Sequence, residues 1–196
     1  MAIMQTVVAD ITMSLDGFIS GPDDDPVRRL GVGGECLHTW IHSDDETDRD
    51  VLSEMWQLSG AIIMGRRMYD INEGFGDNPP FTVPIFVLTH RARAMEVKGS
   101  TSFTFVTDGI HSALDQARAV TGSKPVAVGG GAAVIQQYLA AGLVGQMQIH
   151  VANVLLGSGI RLFDDIGPDR IGLRVTRVIS SPLVTHLRYQ VGTALR

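Results

Sequence analysis

Pro125-Val126-Ala127-Val128-Gly129-Gly130-Gly131-Ala132-Ala133-Val134-Ile135-Gln136-Gln137-Tyr138-Leu139 is the stretch on which the fold turns. The apolar run at 125–128 predicts a buried strand, and the residues from Ala132 onward predict a helix. Three glycines between them leave no side chain at the turn, so backbone can approach a ligand closely. The first helical N–H groups have no partner within the helix and lie at its partly positive end. An anionic phosphate fits such a place.

The same grammar recurs upstream. Met64-Gly65-Arg66-Arg67-Met68 again reads as strand, glycine and helix start, now with two guanidiniums suited to forked phosphate contacts. A further strand end, Val87-Leu88-Thr89-His90-Arg91, offers a hydroxyl, an imidazole and another Arg. Open α/β sheets bind ligands beyond the carboxyl ends of their strands, so these loops point to a dinucleotide with several phosphates. The fingerprint Gly-x-Gly-x-x-Gly of the Rossmann type is missing, which implies a different dinucleotide fold.

Periodicity extends this to a mixed sheet of about eight strands, at residues 7–13, 61–64, 84–88, 103–106, 125–128, 146–155, 172–179 and 184–191. Helices are expected at 48–58, 66–72, 110–120 and after the glycine triplet. The first has two candidate capping boxes, Ser43-x-x-Glu46 and Thr47-x-x-Asp50. The last two strands follow one another without a helix and are expected to be antiparallel. Residues 20–47 form a long Gly-, Asp- and Pro-rich stretch, expected to act as a lid.

Composition bounds the function. The chain of 196 residues is 44% hydrophobic and 19% charged with a formal net charge of −5, which fits one globular domain. No basic face is evident, so nucleic acid and anionic membranes are not expected partners. Cys36 is a single cysteine, which excludes an internal disulfide and the two-cysteine zinc signature of nucleoside deaminases. Met1-Ala2-Ile3-Met4-Gln5 does not read as a signal segment and no apolar run would span a bilayer, so the expected location is the cytoplasm.

Ser14-Leu15-Asp16-Gly17-Phe18-Ile19, Ile63-Met64-Gly65-Arg66-Arg67, Leu88-Thr89-His90-Arg91, Val128-Gly129-Gly130-Gly131 and Leu155-Leu156-Gly157-Ser158-Gly159-Ile160-Arg161-Leu162-Phe163 occur in an order that resembles dihydrofolate reductase-like proteins. The chain is most similar to their RibD C-terminal branch, the reductase half of the riboflavin-biosynthesis deaminase–reductase, over residues 6–191.

This resemblance implies an α/β dihydrofolate reductase-like domain covering the whole chain, with NADPH as cofactor. It assigns Gly65, Arg66 and Arg67 to the pyrophosphate and 2′-phosphate, and Leu88, Thr89, His90 and Arg91 to the adenosine side. Gly129, Gly130, Gly131 and Ala132 would hold the pyrophosphate, while Leu15, Asp16, Gly17 and Phe18 would lie over the nicotinamide. Dihydrofolate reductases carry an acid near the start of the first helix. Asp48 and Asp50 both fit that position, and Asp16 is a further candidate acid.

The remaining ionisable residues have plainer readings. Cys36, His38 and His42 lack a fourth ligand, so no metal is expected; His38 is expected to line the substrate pocket. His111 and His186 fall on faces expected to be exposed, and His150 reads as a core histidine. The expected activity is hydride transfer to a C=N or C=O carbon of a small heterocyclic substrate, pteridine- or pyrimidine-glycosylamine-like. The alternative is a nucleotide- or flavin-binding module without turnover. The long apolar strands at the C-terminal end suggest a homodimer.

Overall fold

The structure, a computed structural model, describes residues 6–192; residues 1–5, including those read for a signal segment, lie outside them. The strands are β1 (Val7–Ser14), β2 (Phe18–Ser20), β3 (Ala61–Gly65), β4 (Ile85–Leu88), β5 (Glu96–Lys98), β6 (Thr101–Val106), β7 (Val126–Val128), β8 (Gln146–Ala152), β9 (Ile160–Arg161), β10 (Gly172–Ser180) and β11 (Val184–Gly192). The α-helices are α1 (Glu46–Leu58), α2 (Arg66–Ile71), α3 (Gly109–Thr121) and α4 (Ala132–Ala140).

Nine strands form one sheet in the order β10-β11-β8-β1-β7-β3-β4-β6-β5. The run from β8 to β6 is parallel throughout, while β11, β10 and β5 join antiparallel. A separate β2–β9 pair makes a second small sheet. The mixed α/β sheet and antiparallel C-terminal strands agree with the sequence reading. The ninth strand, β5, has the sequence Glu-Val-Lys, whose charged ends conceal it from a search for apolar runs.

Alternation along the strands divides the molecule into two faces. Val7, Ala9, Ile63, Val128, Met147 and Ile149 pack against α3 and α4, where Ala113, Leu114, Ile135 and Tyr138 are buried. The Tyr138 hydroxyl donates to the Ile110 carbonyl at 2.7 Å, tying the two helices together. On the other face Met64, Tyr69, Ile85, Val87 and Phe103 form a smaller cluster under α2.

Two local features differ from expectation. Helix α1 begins at Glu46, capped by neither Ser43 nor Thr47 but by Asp45, whose carboxylate accepts from the amides of Thr47 (2.9 Å) and Asp48 (3.4 Å). Only Val51 of its apolar stripe is buried in the protein; Trp56 and Leu58 are exposed, and Leu52 and Met55 face a cleft. The 20–47 stretch is structured in part, with a 3-10 helix at Gly34–His42 that buries Leu37 and Trp40.

Replacing Tyr138 by Phe removes the bond to Ile110 and keeps the ring. The expected result is a loss of about 0.5–1.5 kcal/mol, measured by urea denaturation with an unchanged slope.

Candidate functional site

Chain connectivity opens the site. The chain passes from β1 through α1 to β3 on one side, and from β7 through α4 to β8 on the other side of β1. Connections that diverge in this way leave a crevice at the strand ends. Here it widens into a cleft of about 700 Å³, within the usual range for small-molecule sites.

The two glycine turns meet at its rim. The Gly65 amide donates to the Gly130 carbonyl at 3.2 Å, and the Gly129 amide to the Ile63 carbonyl at 3.1 Å. A Cβ at Gly130 would stand 1.9 Å from Met68 Sδ, so a side chain there would have to displace the Met68 side chain of α2. Gly131 has φ +77° and starts α4 with no side-chain cap, which leaves the helix start to a ligand. Gly65, Arg67, Gly129, Gly130, Gly131 and Ala132 all line the cleft.

The phosphate-binding candidates are partly engaged already. Arg67 reaches across the cleft mouth to the Asp24 carboxylate and to the Asp24 carbonyl (3.2 Å), while Arg66 pairs with Asp70 at 2.7 Å. Leu88 lies beside Gly65 in the sheet register. Thr89 closes the turn after it, accepting from the Arg91 amide at 3.1 Å, and His90 and Arg91 are exposed. These residues sit on the same rim but outside the cleft lining.

The first loop is fastened elsewhere. Asp16 accepts from Ser14 Oγ (2.6 Å) and from the amides of Leu156 (3.1 Å) and Gly157 (2.7 Å), so its carboxylate ties two loops together. The Ser14 hydroxyl, followed by these two amides, holds its pKa down at about 2. Gly17 takes φ +89° in the turn, Leu15 is exposed, and Phe18 is buried beneath the Arg161 guanidinium, 4.3 Å from its ring centre. None of Leu15, Asp16, Gly17 and Phe18 lines the cleft, whereas His38 does.

Asp50 is exposed and away from the cleft. Asp48 is buried and bonded through Oδ1 to His186 Nε2 at 3.2 Å; its Oδ2 has no hydrogen-bond partner among the described residues. His186 is therefore not on an exposed face: it is 4% exposed, because α1 and the 3-10 helix cover that side of β11. His186 Nδ1 lies 2.6 Å from His150 Nδ1, and His150 Nε2 lies 3.1 Å from Asp10 Oδ1. Asp10 and His150 reach the cleft. Burial pushes His186 below its ordinary pKa against the upward pull of Asp48. Burial, then the neighbouring His42 and His150 imidazoles, pushes His38 down as well.

Asp10 was not among the residues singled out from the sequence. The available signal was alternation: Asp10 and Thr12 on β1, Gln148 and His150 on β8, and His186 and Arg188 on β11 share one face in adjacent strands. Arg188 donates to Gln148 Oε1 and to Glu54 of α1 (2.8 Å), closing the outer end of this polar face. Cys36 is exposed, with Sγ against the Gly33 carbonyl, and no group of three His, Cys, Asp or Glu among the described residues is arranged to hold a metal.

A family model described as the RibD C-terminal domain matches residues 5–187, and the chain belongs to that family. The uncharacterized protein YyaP of Bacillus subtilis is 25% identical over 189 residues, 91% of each chain. Among solved structures, a Shewanella protein ascribed to riboflavin biosynthesis superposes with a TM-score of 0.72 at 21% identity, over 95% of this chain and 99% of that one. Enterococcus faecalis dihydrofolate reductase, solved with NADP(H), superposes at 0.61 with 13% identity, over 95% of this chain and 96% of that one. The fold is thus the dihydrofolate reductase-like one.

A carboxylate held down by hydrogen bonds stabilises above its ordinary value of 3.8, and that contribution fades as pH falls through about 2. The Leu156 and Gly157 amide resonances should titrate with that low midpoint, and Asp16→Asn should abolish the titration.

Proposed function

We propose that this protein is an NADPH-dependent reductase of the riboflavin-pathway type, acting on a small heterocycle. The observation that carries the reading is the junction of the two glycine turns beside an uncapped helix start, opening into a cleft that also holds an acid and histidines. In this reading Gly129–Gly131 and Ala132 take the pyrophosphate, Arg66 and Arg67 the 2′-phosphate, and Thr89, His90 and Arg91 the adenosine side. The residues fit such a group, because Gly129, Gly130 and Gly131 line the cleft without side chains and the Arg67 guanidinium lies at its mouth. The cofactor, when bound, supplies a hydride.

The chain's own residues supply position, dryness and a proton source. Leu52, Met55, Trp56, Phe75 and Phe81 make an apolar wall suited to a flat ring. Asp24 and Arg29, from the 20–47 stretch, close the mouth above it. A C=N or C=O group placed against Asp10 and His150 would be reduced there. The rival reading, a nucleotide- or flavin-binding module without turnover, draws on the sealing of Asp48 away from the cleft. Steady NADPH oxidation with a folate, pyrimidine or quinone compound excludes it.

For an incoming phosphate Arg67 must leave Asp24. NADPH should therefore bind more tightly than NADH by about 1–3 kcal/mol, as charge-assisted hydrogen bonds allow. Asp24→Asn should strengthen NADPH but not NADH, and Arg67→Ala should reduce the preference. Equal affinities in a fluorescence titration would refute the assignment.

We also propose that the protein is a homodimer. β10 is an edge strand with unpaired backbone on its outer side, and Leu173, Val175 and Val178 are exposed on it. A second copy covering this strand removes the edge; sedimentation at micromolar concentration should give twice the 21.1 kDa chain mass, and Val175→Lys should give the single chain.

A further inference from the structure

Asp10, His150, His186 and Asp48 form an unbranched chain of three polar contacts, from the cleft to a fully buried carboxylate. Each contact needs one proton between two acceptors. If both carboxylates are charged, three protons on the four ring nitrogens give every contact one donor and one acceptor. Two protons leave either bare nitrogens facing at 2.6 Å, or a carboxylate against a lone pair. Four protons set two N–H groups against each other. With both carboxylates charged, the geometry therefore selects one imidazolium beside one neutral imidazole.

We propose that this chain is a proton store for the cleft, holding one proton more than two neutral histidines, and that Asp10 hands that proton to the bound substrate. The proposal rests on the reductase reading for its use, though not for the store itself.

Trp40 lies tilted over His150 with ring centres 4.7 Å apart, where an aromatic face attracts a cation, and meets His186 edge-on at 5.0 Å. In the proposed store this ring contact places the charge on His150. Trp40 is itself held by its indole N–H donating to Thr12 Oγ1 at 3.2 Å. The ionisable groups facing the pair are few: Asp10 from β1, His38 from the 3-10 helix with His42 behind it, and Asp48 from α1. Arg188 of β11 is turned to Gln148 and Glu54, and Arg67 pairs with Asp24 across the mouth. Burial pushes His38 below its ordinary pKa.

Reduction of C=N or C=O takes a hydride at carbon and a proton at the heteroatom. The hydride and its two electrons come from NADPH. The π pair moves onto nitrogen or oxygen, which takes a proton from Asp10. Asp10 draws it from His150 Nε2 and returns to carboxylate. His150 becomes neutral and still donates Nδ1–H to His186, while His186 still donates Nε2–H to Asp48. Water in the cleft restores the proton through Asp10. His186 and Asp48 are positioning residues, and Asp10 is the group that meets substrate.

Nitrogen-15 histidine NMR of the full chain without substrate counts the protons directly. Three imidazole N–H protons on the pair from pH 6 to 8, one shared between the Nδ1 atoms, support the store; two protons overturn it. Asp10→Asn should lower the count to two and slow reduction of a probe such as menadione about 100-fold, with NADPH affinity changed less than about two-fold. Wild-type rates in Asp10→Asn would overturn Asp10 as the donor and leave the reductase reading standing. Three protons in a protein that fails to bind NADPH would support the store and remove the reductase reading.

Discussion

The hydrogen bond from the Gly65 amide to the Gly130 carbonyl is the contact on which the site depends. It joins two strand-to-helix turns that are separated by about a third of the chain, and it aims the starts of α2 and α4 at one place. The join is possible because β7 pairs in parallel with β3, which makes the carboxyl ends of these two strands neighbours. It is tight because Met68 packs where a side chain at position 130 would stand. A larger residue there would have to displace the Met68 side chain.

The other side of the sheet is built differently. α3 and α4 cover their face with close apolar contact, but α1 is held over its face largely by polar links. Asp48 reaches His186, and Glu54 reaches Arg177 and Arg188. The apolar side of α1 is left facing the cleft, so the wall that a substrate would cover is a helix stripe that sequence periodicity assigns to the core. Hydrophobic pattern reports that a surface avoids water, not whether protein or ligand does the covering.

This distinction explains what was legible. The glycine turns, most strands and the helices following glycine are local signals, each complete within a dozen residues. The cap at Asp45 was hidden by two competing boxes nearby, and β5 by its charged ends. The acid–histidine chain was not legible residue by residue. Its contacts join positions 36 to 140 residues apart, and apart from Asp48, a candidate acid from its place near the helix start, each member alone has an ordinary reading: an acid in a strand, a core histidine, an exposed histidine. His186 alternates with Leu187 and Tyr189, which suggests one wet face, and only the arrival of α1 from elsewhere dries it. Strand alternation read jointly over β1, β8 and β11 would have marked the polar face, since the three are consecutive in the sheet.

Stability does not account for that buried chain. Desolvating charged groups opposes their mutual attraction, and apolar residues of similar volume commonly serve a core as well or better. Asp48 also leaves Oδ2 without a hydrogen-bond partner among the described residues, a defect that ordinarily costs about 1–3 kcal/mol. A fold indifferent to function has no need to run two carboxylates and two imidazoles inward from a cleft. The arrangement becomes intelligible when its open end is considered: Asp10 and His150 reach the cavity floor, whereas His186 and Asp48 are sealed behind them. The inner end is nearly closed: His186 is 4% exposed and borders a small recess beside Val51 and Arg188. Such a path favours exchange with whatever occupies the cleft over exchange with bulk water.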